Sequence, residues 1–154
     1  MANKRKSTPK KRNVKQIILH CSATREGVNI GVNTIRRWHM SPPRNWSDIG
    51  YHYVIALDGK IQVGRPEEKA GAHTKGQNDD SIGICYIGGV DQDGKTPKDT
   101  VTTAQQFSLL QLIGTLRKSY GAIPVYGHNK YANKACPSFD VQEKYPSINK
   151  GVKK

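Results

Sequence analysis

Residues 127–141 read GHNKYANKACPSFDV. His128 stands eight positions before Cys136; Lys134 lies two positions before that cysteine and Pro137 directly after it. Zn²⁺ takes imidazole nitrogen and thiolate sulfur, and a catalytic zinc keeps three protein ligands with a fourth position open. Two histidines and one cysteine fill that count. The seven intervening residues let the chain turn back on itself, but the spacing matches no finger or ribbon pattern. Pro137 biases Cys136 towards extended backbone, where Lys134, at i−2, leans to the same side.

The other histidines are His20, His39, His52 and His73. His20 ends an apolar run, and strand ends that adjoin loops often carry functional side chains. Cys21 alternates to the opposite face of that strand, which makes it a packing residue. Tyr51 and His52 compete for one site, because only one of two neighbours on a strand faces it. His52 is the obvious extra ligand and Tyr51 the obvious hydrogen-bond donor or acid. His39 sits beside Trp38 on a helix face and reads as structural; Cys85, inside an apolar strand, reads as core. The chain has no HExxH zinc-protease helix, no Gly-x-Ser-x-Gly elbow and no phosphate-binding Walker loop.

At 154 residues, 35% hydrophobic and 24% charged, the chain has the size and composition of one globular domain. No apolar run reaches the roughly 18–20 residues of a membrane span. The basic N-terminus is followed by no apolar h-region, so cytoplasmic synthesis is expected. The net charge of +13 is concentrated at the ends: residues 1–15 carry seven Lys/Arg and no acid, and the last five residues carry three lysines. Without those ten the body is +3. Residues 1–15 are therefore expected to be a disordered basic arm, able to touch a polyanion or merely to aid solubility, and 147–154 a basic tail. Three cysteines with no secretion signal argue against a disulfide framework.

The elements that must position these residues follow from periodicity. Residues 16–20 (QIILH) read as a buried strand. Residues 31–40 read as a helix with Val32, Ile35 and either His39 or Trp38 on one face, stopped by Ser41-Pro42-Pro43. Residues 51–57 and 60–64 read as a hairpin around Asp58-Gly59, a pair suited to a type I′ turn. Residues 65–80 form a long loop and 81–87 another strand. Residues 102–120 form the main helix, with a Thr103/Gln106 capping box and an apolar stripe of Phe107, Leu110, Ile113 and Leu116 flanked by Leu109 and Leu112. A short strand at 125–126 feeds the opening motif, and 140–145 form a helical turn. The interleaving predicts an α/β fold with a central mixed β-sheet flanked by helices, in a single domain of residues 16–146.

Four segments, ILHCSAT (18–24), IGYHYVIALDGKIQVGR (49–65), GAHTKGQNDDSIGICYIGG (71–89) and GHNKYANKACPSFD (127–140), resemble the zinc-dependent N-acetylmuramoyl-L-alanine amidases in the right order. That family includes phage lysozyme-type amidases and peptidoglycan recognition proteins. The resemblance implies one catalytic Zn²⁺ on His20, His128 and Cys136, with Tyr51 and Lys134 as catalytic residues. It implies His73 and Asn78 beside a groove that binds peptidoglycan. It also implies hydrolysis of the bond between N-acetylmuramic acid and L-alanine, in phage or prophage lysis; with no strong sign of a dimer interface in the sequence, a monomer is expected. No acid can be assigned as the general base that some branches use. Three alternatives stand beside it: a non-catalytic peptidoglycan-binding module, a polymerase-regulating module of the same fold, and a muramidase, which needs two carboxylates.

Overall fold

The computed structural model describes residues 12–152. It contains β1 (Gln16–Cys21), β2 (Thr24–Arg25), α1 (Val32–Met40), β3 (Tyr53–Ile55), β4 (Ile61–Val63), β5 (Ser81–Tyr86), β6 (Gly89–Val90), α2 (Thr103–Tyr120), β7 (Val125–Gly127) and α3 (Val141–Lys144). Short 3₁₀ turns lie at Asn78–Asp80 and His128–Lys130. Five strands form one sheet in the order β4-β3-β5-β1-β7. β1 runs parallel to β5 and β7, β3 runs parallel to β5, and β4 returns antiparallel to β3. The sheet is mixed and helices flank it, as expected. β2 and β6 make a separate parallel pair.

β1 lies between two parallel neighbours and all six of its residues are buried. Alternation then divides its side chains. Ile17, Leu19 and Cys21 join Ile82, Ile84 and Tyr86 of β5 against Leu109, Leu112, Ile113 and Leu116 of α2. On the opposite face Ile35 of α1 packs with Ile49, Val54, Cys85 and Ile87. Cys21 and Cys85 are thus core residues on opposite faces, and His20 shares its face with Cys85, its register partner.

The main helix is set one residue earlier than its periodicity suggested. Thr102 is the N-cap and Gln105 completes the capping box, in place of Thr103 and Gln106. Both frames read Thr-x-x-Gln; tertiary contacts choose between them. Gln105 is fully buried, and its amide donates to Ile55 O at 3.2 Å and Ile87 O at 3.0 Å. The expected stripe is corrected accordingly: Phe107 is 68% exposed and Leu110 42% exposed, while Leu109, Leu112, Ile113 and Leu116 face the sheet.

The hairpin turn also differs from the expected type I′. Gly59 has positive φ (+89°) and Asp58 does not. Ala56 O accepts from Gly59 N–H at 2.9 Å and Ala56 N–H donates to Lys60 O at 3.0 Å, so three residues make the connection. A Cβ on Gly59 would lie 2.7 Å from Ala104 O, which presses this turn against α2.

Residues 1–11, most of the basic arm and its expected polyanion contact, lie outside the described residues. Arg12, inside the segment read as an arm, is held against the fold. Its guanidinium donates to Glu67 O at 2.7 Å and to Ser81 O at 3.0 Å, and Val14 is buried in the α2-side core. At the other end Asn149, inside the segment read as a tail, pairs with the edge strand β7. It accepts from Val125 N–H at 2.7 Å and donates to Val125 O at 2.8 Å.

Replacing Gln105 by alanine removes half of the capping box and takes the side-chain donor from the buried Ile87 O, while Ile55 O keeps the Ile87 N–H at 3.0 Å. We expect Gln105→Ala to cost about 2–4 kcal/mol in denaturant unfolding and Gln106→Ala less than about 0.5 kcal/mol.

Candidate active site

The site lies on the α1 face of the sheet, where β1 and β7 end side by side. Leu19 pairs with Gly127, so the residue after each, His20 and His128, arrives at the same level. Their rings are 4.7 Å apart between centroids. The loop after the His128–Lys130 turn brings Cys136 back, and its sulfur accepts from Cys21 N–H at 3.3 Å. Tyr86 Oη donates to Pro137 O at 2.7 Å and anchors the loop from beneath. One ligand atom from each of His20, His128 and Cys136 lies within 4.8 Å of the others. Among the described residues this is the one His/Cys/carboxylate group so arranged.

The donor set suits a metal. The Nε2 atom of His20 is engaged by His73 Nδ1 at 2.8 Å, whereas its Nδ1 faces Cys136 Sγ at 3.7 Å. Burial, then the positive partners His73, His128 and Lys134, hold His20 well below the usual histidine range. Burial and Lys134 lower His128 likewise. Both rings are therefore neutral near pH 7 and offer a lone pair. The hydrogen-bonded neighbour Cys21, with burial, pushes the Cys136 thiol up. A bound dication reverses that preference, since metals take the thiolate. Two imidazoles and a thiolate with room for a fourth partner fit Zn²⁺.

Tyr51 stacks at 5.0 Å from His20 and 5.4 Å from His39. Burial, followed by the nearby thiols of Cys85, Cys136 and Cys21, raises its phenol well above the ordinary value. It is a hydrogen-bond donor at neutral pH and not a base. His52, its rival in the sequence, is fully buried beside His73, accepting from Gly83 N–H at 3.0 Å and donating to Lys69 O at 2.8 Å. His39 accepts from Gly50 N–H at 2.9 Å and is structural.

Two cavities meet at Lys134 and His128. One, of about 590 Å³, is lined by Trp46, Lys75, Asn78 and Tyr131 among others; the second, of about 260 Å³, contains Arg44, Tyr51 and Cys136. Lys134 borders both, and it shares the second with Cys136. Neither is lined by Asp or Glu. His73 and Asn78 border the larger cavity, where both ring nitrogens of His73 are hydrogen-bonded. Asn78 Oδ1 accepts from the backbone N–H groups of His73 and Thr74, both at 2.9 Å.

A family profile described as N-acetylmuramoyl-L-alanine amidase matches residues 10–139. The chain belongs to that amidase family. The endolysin of Escherichia phage T7 is 44% identical to it over 126 residues, covering 82% of each chain. The endolysin of Klebsiella phage KP32 is 40% identical over 133 residues, covering 86% of each. Among solved structures, the N-acetylmuramoyl-L-alanine amidase LysC from Clostridium intestinale superposes with a TM-score of 0.74 at 28% identity, covering 93% of this chain and 89% of that one. The candidate site described above falls wholly within the matched segment. Two of its residues escaped sequence reasoning: Thr74 and Ser81, both buried beside His73. No periodicity marks them, because their role depends on which ring they meet.

The buried histidines make the fold acid-sensitive. Burial, with the nearby Arg44 and Arg65, lowers His39 to about 4, and burial lowers His52 to about 4, against about 6.5 when unfolded. Between those values the unfolded chain binds more protons, so stability rises with pH there. In metal-free protein we expect full stability above about pH 6.5 and progressive loss towards pH 4, each histidine removing about 1.4 kcal/mol per pH unit within the window. Denaturant midpoints across this range measure it, and a flat profile contradicts it.

Proposed function

We propose that this amidase is a zinc hydrolase that cleaves the amide bond between the lactyl group of N-acetylmuramic acid and L-alanine in bacterial peptidoglycan. Its setting is then the lysis of a phage-infected or prophage-bearing cell. The observation that carries the reading is the convergence of His20, His128 and Cys136 within 4.8 Å at the junction of two cavities, with Tyr51 and Lys134 beside them. The names of the phage endolysins and of the clostridial amidase point the same way.

His20, His128 and Cys136 would hold the zinc, which would supply a Lewis acid and activate a water for attack near neutral pH. The chain's own groups then have two tasks. Lys134, bordering both cavities, places an ammonium where negative charge develops on the carbonyl oxygen. Tyr51, kept neutral by burial, supplies an O–H donor to that oxygen or to the departing amine. Preorganised donors of this kind are each worth about 10²–10³ in kcat. Lys75 and Arg44 add positive charge to the two cavities, which favours a substrate carrying carboxylates. The absence of a lining carboxylate disfavours glycoside cleavage, which needs a pair of them.

Digestion of purified cell wall, with new amino groups counted against new reducing ends, tests the bond. Amine release abolished by a chelator and restored by zinc is expected; reducing ends without amines would sink the proposal. Cys136→Ala should lose both zinc and activity, while Cys21→Ala and Cys85→Ala keep their zinc. Tyr51→Phe and Lys134→Met should retain zinc and lose about 10²–10³ in kcat; full activity of Tyr51→Phe at every pH removes its assigned task.

A further inference from the structure

His20 can serve as a ligand through Nδ1 only if its proton sits on Nε2. In the neutral ring either nitrogen can hold it. The surroundings decide, and the deciding group is remote from the metal position. Ser81 Oγ lies 2.7 Å from Gln77 O, a carbonyl that can only accept. The single Ser81 hydroxyl proton goes there. Ser81 Oγ, also 3.2 Å from His73 Nε2, must then accept, which puts the His73 proton on Nε2. His73 Nδ1 is left with a lone pair and accepts at 2.8 Å from His20 Nε2–H. The Thr74 hydroxyl, 2.9 Å from His73 Nδ1 and 3.3 Å from His20 Nε2, lies between the two rings and is compatible with this polarity.

The His73 ring is built into the fold. A Cβ on Gly83 would lie 2.6–2.7 Å from three atoms of that ring, and one on Gly71 would lie 2.6 Å from its Cδ2. Neither glycine has a positive φ, so the space itself requires the missing side chain. Asn78 fixes the backbone of His73 and Thr74 from the other side. Ser81, His73 and His20 are all buried.

We infer that Ser81 and His73 are positioning residues that fix the tautomer of His20, the relay Gln77 O, Ser81, His73, His20 leaving His20 Nδ1 unprotonated and aimed at the metal position before any metal arrives. The direction of every hydrogen bond in the relay follows from one backbone carbonyl. The assignment rests on the zinc reading above for its purpose, but the tautomer itself is a property of the metal-free chain. Because outer partners of ligating histidines raise metal affinity by orienting the ring, breaking the relay should weaken zinc binding about 10–100-fold.

The test is long-range ¹H–¹⁵N NMR of the metal-free full chain near pH 7.5, followed by zinc titration. We expect both His20 and His73 to carry the proton on Nε2. In Ser81→Ala the His73 tautomers should mix, and zinc should bind about 10–100-fold more weakly. His73→Leu removes the acceptor and should show the same loss. His73→Asn, whose Oδ1 replaces Nδ1 as an acceptor, should recover affinity to within a few-fold of the wild type. A proton on Nδ1 of His20 in the metal-free wild type overturns the relay, and so does wild-type zinc affinity in a folded His73→Leu. The wild-type spectrum needs no variant, so a variant that fails to fold leaves the test intact. A wild type that shows the expected tautomers but binds no zinc overturns the zinc reading and leaves the relay standing.

Discussion

The hydrogen bond between the buried rings of His20 and His73, 2.8 Å long, is where the fold and the site join. His20 belongs to β1, the strand held between β5 and β7, and His73 to the loop that precedes β5. The bond therefore ties a loop to the sheet through the Nε2 edge of the His20 ring. It also consumes one imidazole nitrogen and exposes the other. Around it the sheet has given up side chains: Gly83 on β5 sits under the His73 ring where any Cβ would collide. Packing at a strand centre normally favours branched side chains. A glycine there weakens the sheet locally and is offset by the ring that fills its space.

The site was legible in the sequence to the extent that its chemistry depends on residue type. His128, Cys136 and Lys134 are close along the chain, so their types and spacing raised a metal reading, and strand alternation separated His20 from Cys21. What spacing alone did not give was the partnership with His20, more than a hundred residues upstream; parallel pairing of β1 with β7 creates it. The choice between Tyr51 and His52 was open for a similar reason. Alternation says that only one faces the site; the family resemblance chose Tyr51, and in the structure His52 is engaged by Gly83 N–H while the Tyr51 ring lies 5.0 Å from His20.

The misplaced details share a different cause. The helix α2 offered two overlapping Thr-x-x-Gln frames, and the hairpin offered an Asp-Gly pair. Local rules rank such options within a few tenths of a kcal/mol to about 1 kcal/mol, whereas a buried amide paired to two strand-end carbonyls is worth more than that. Gln105 thus pulled the frame by one residue and turned Phe107 to solvent. The turn beside it was set by contact of Gly59 with Ala104. The ends behaved alike: Arg12 and Asn149 read as parts of polar termini, but each meets backbone groups that would otherwise lack a partner.

The electrostatics of the site constrain its chemistry further. The smaller cavity beside the candidate ligand cluster is bordered by Tyr51, whose phenol is pushed up by burial, and by the basic side chains Lys134 and Arg44. His20 and His128 are neutral, and in the proposed reading their free nitrogens are committed to the metal. No carboxylate lines either cavity to take a proton. Such a site is arranged to meet negative charge as it develops and to return a proton to a leaving group. It is poorly arranged to pull a proton from water by itself. In the proposed reading the nucleophile arrives already activated, the task of a cation held between two imidazoles and a thiolate. The missing carboxylate and the three proposed ligands are on that reading one feature: the less basic the walls, the more the reaction would rely on how firmly His20 is held in the tautomer inferred above.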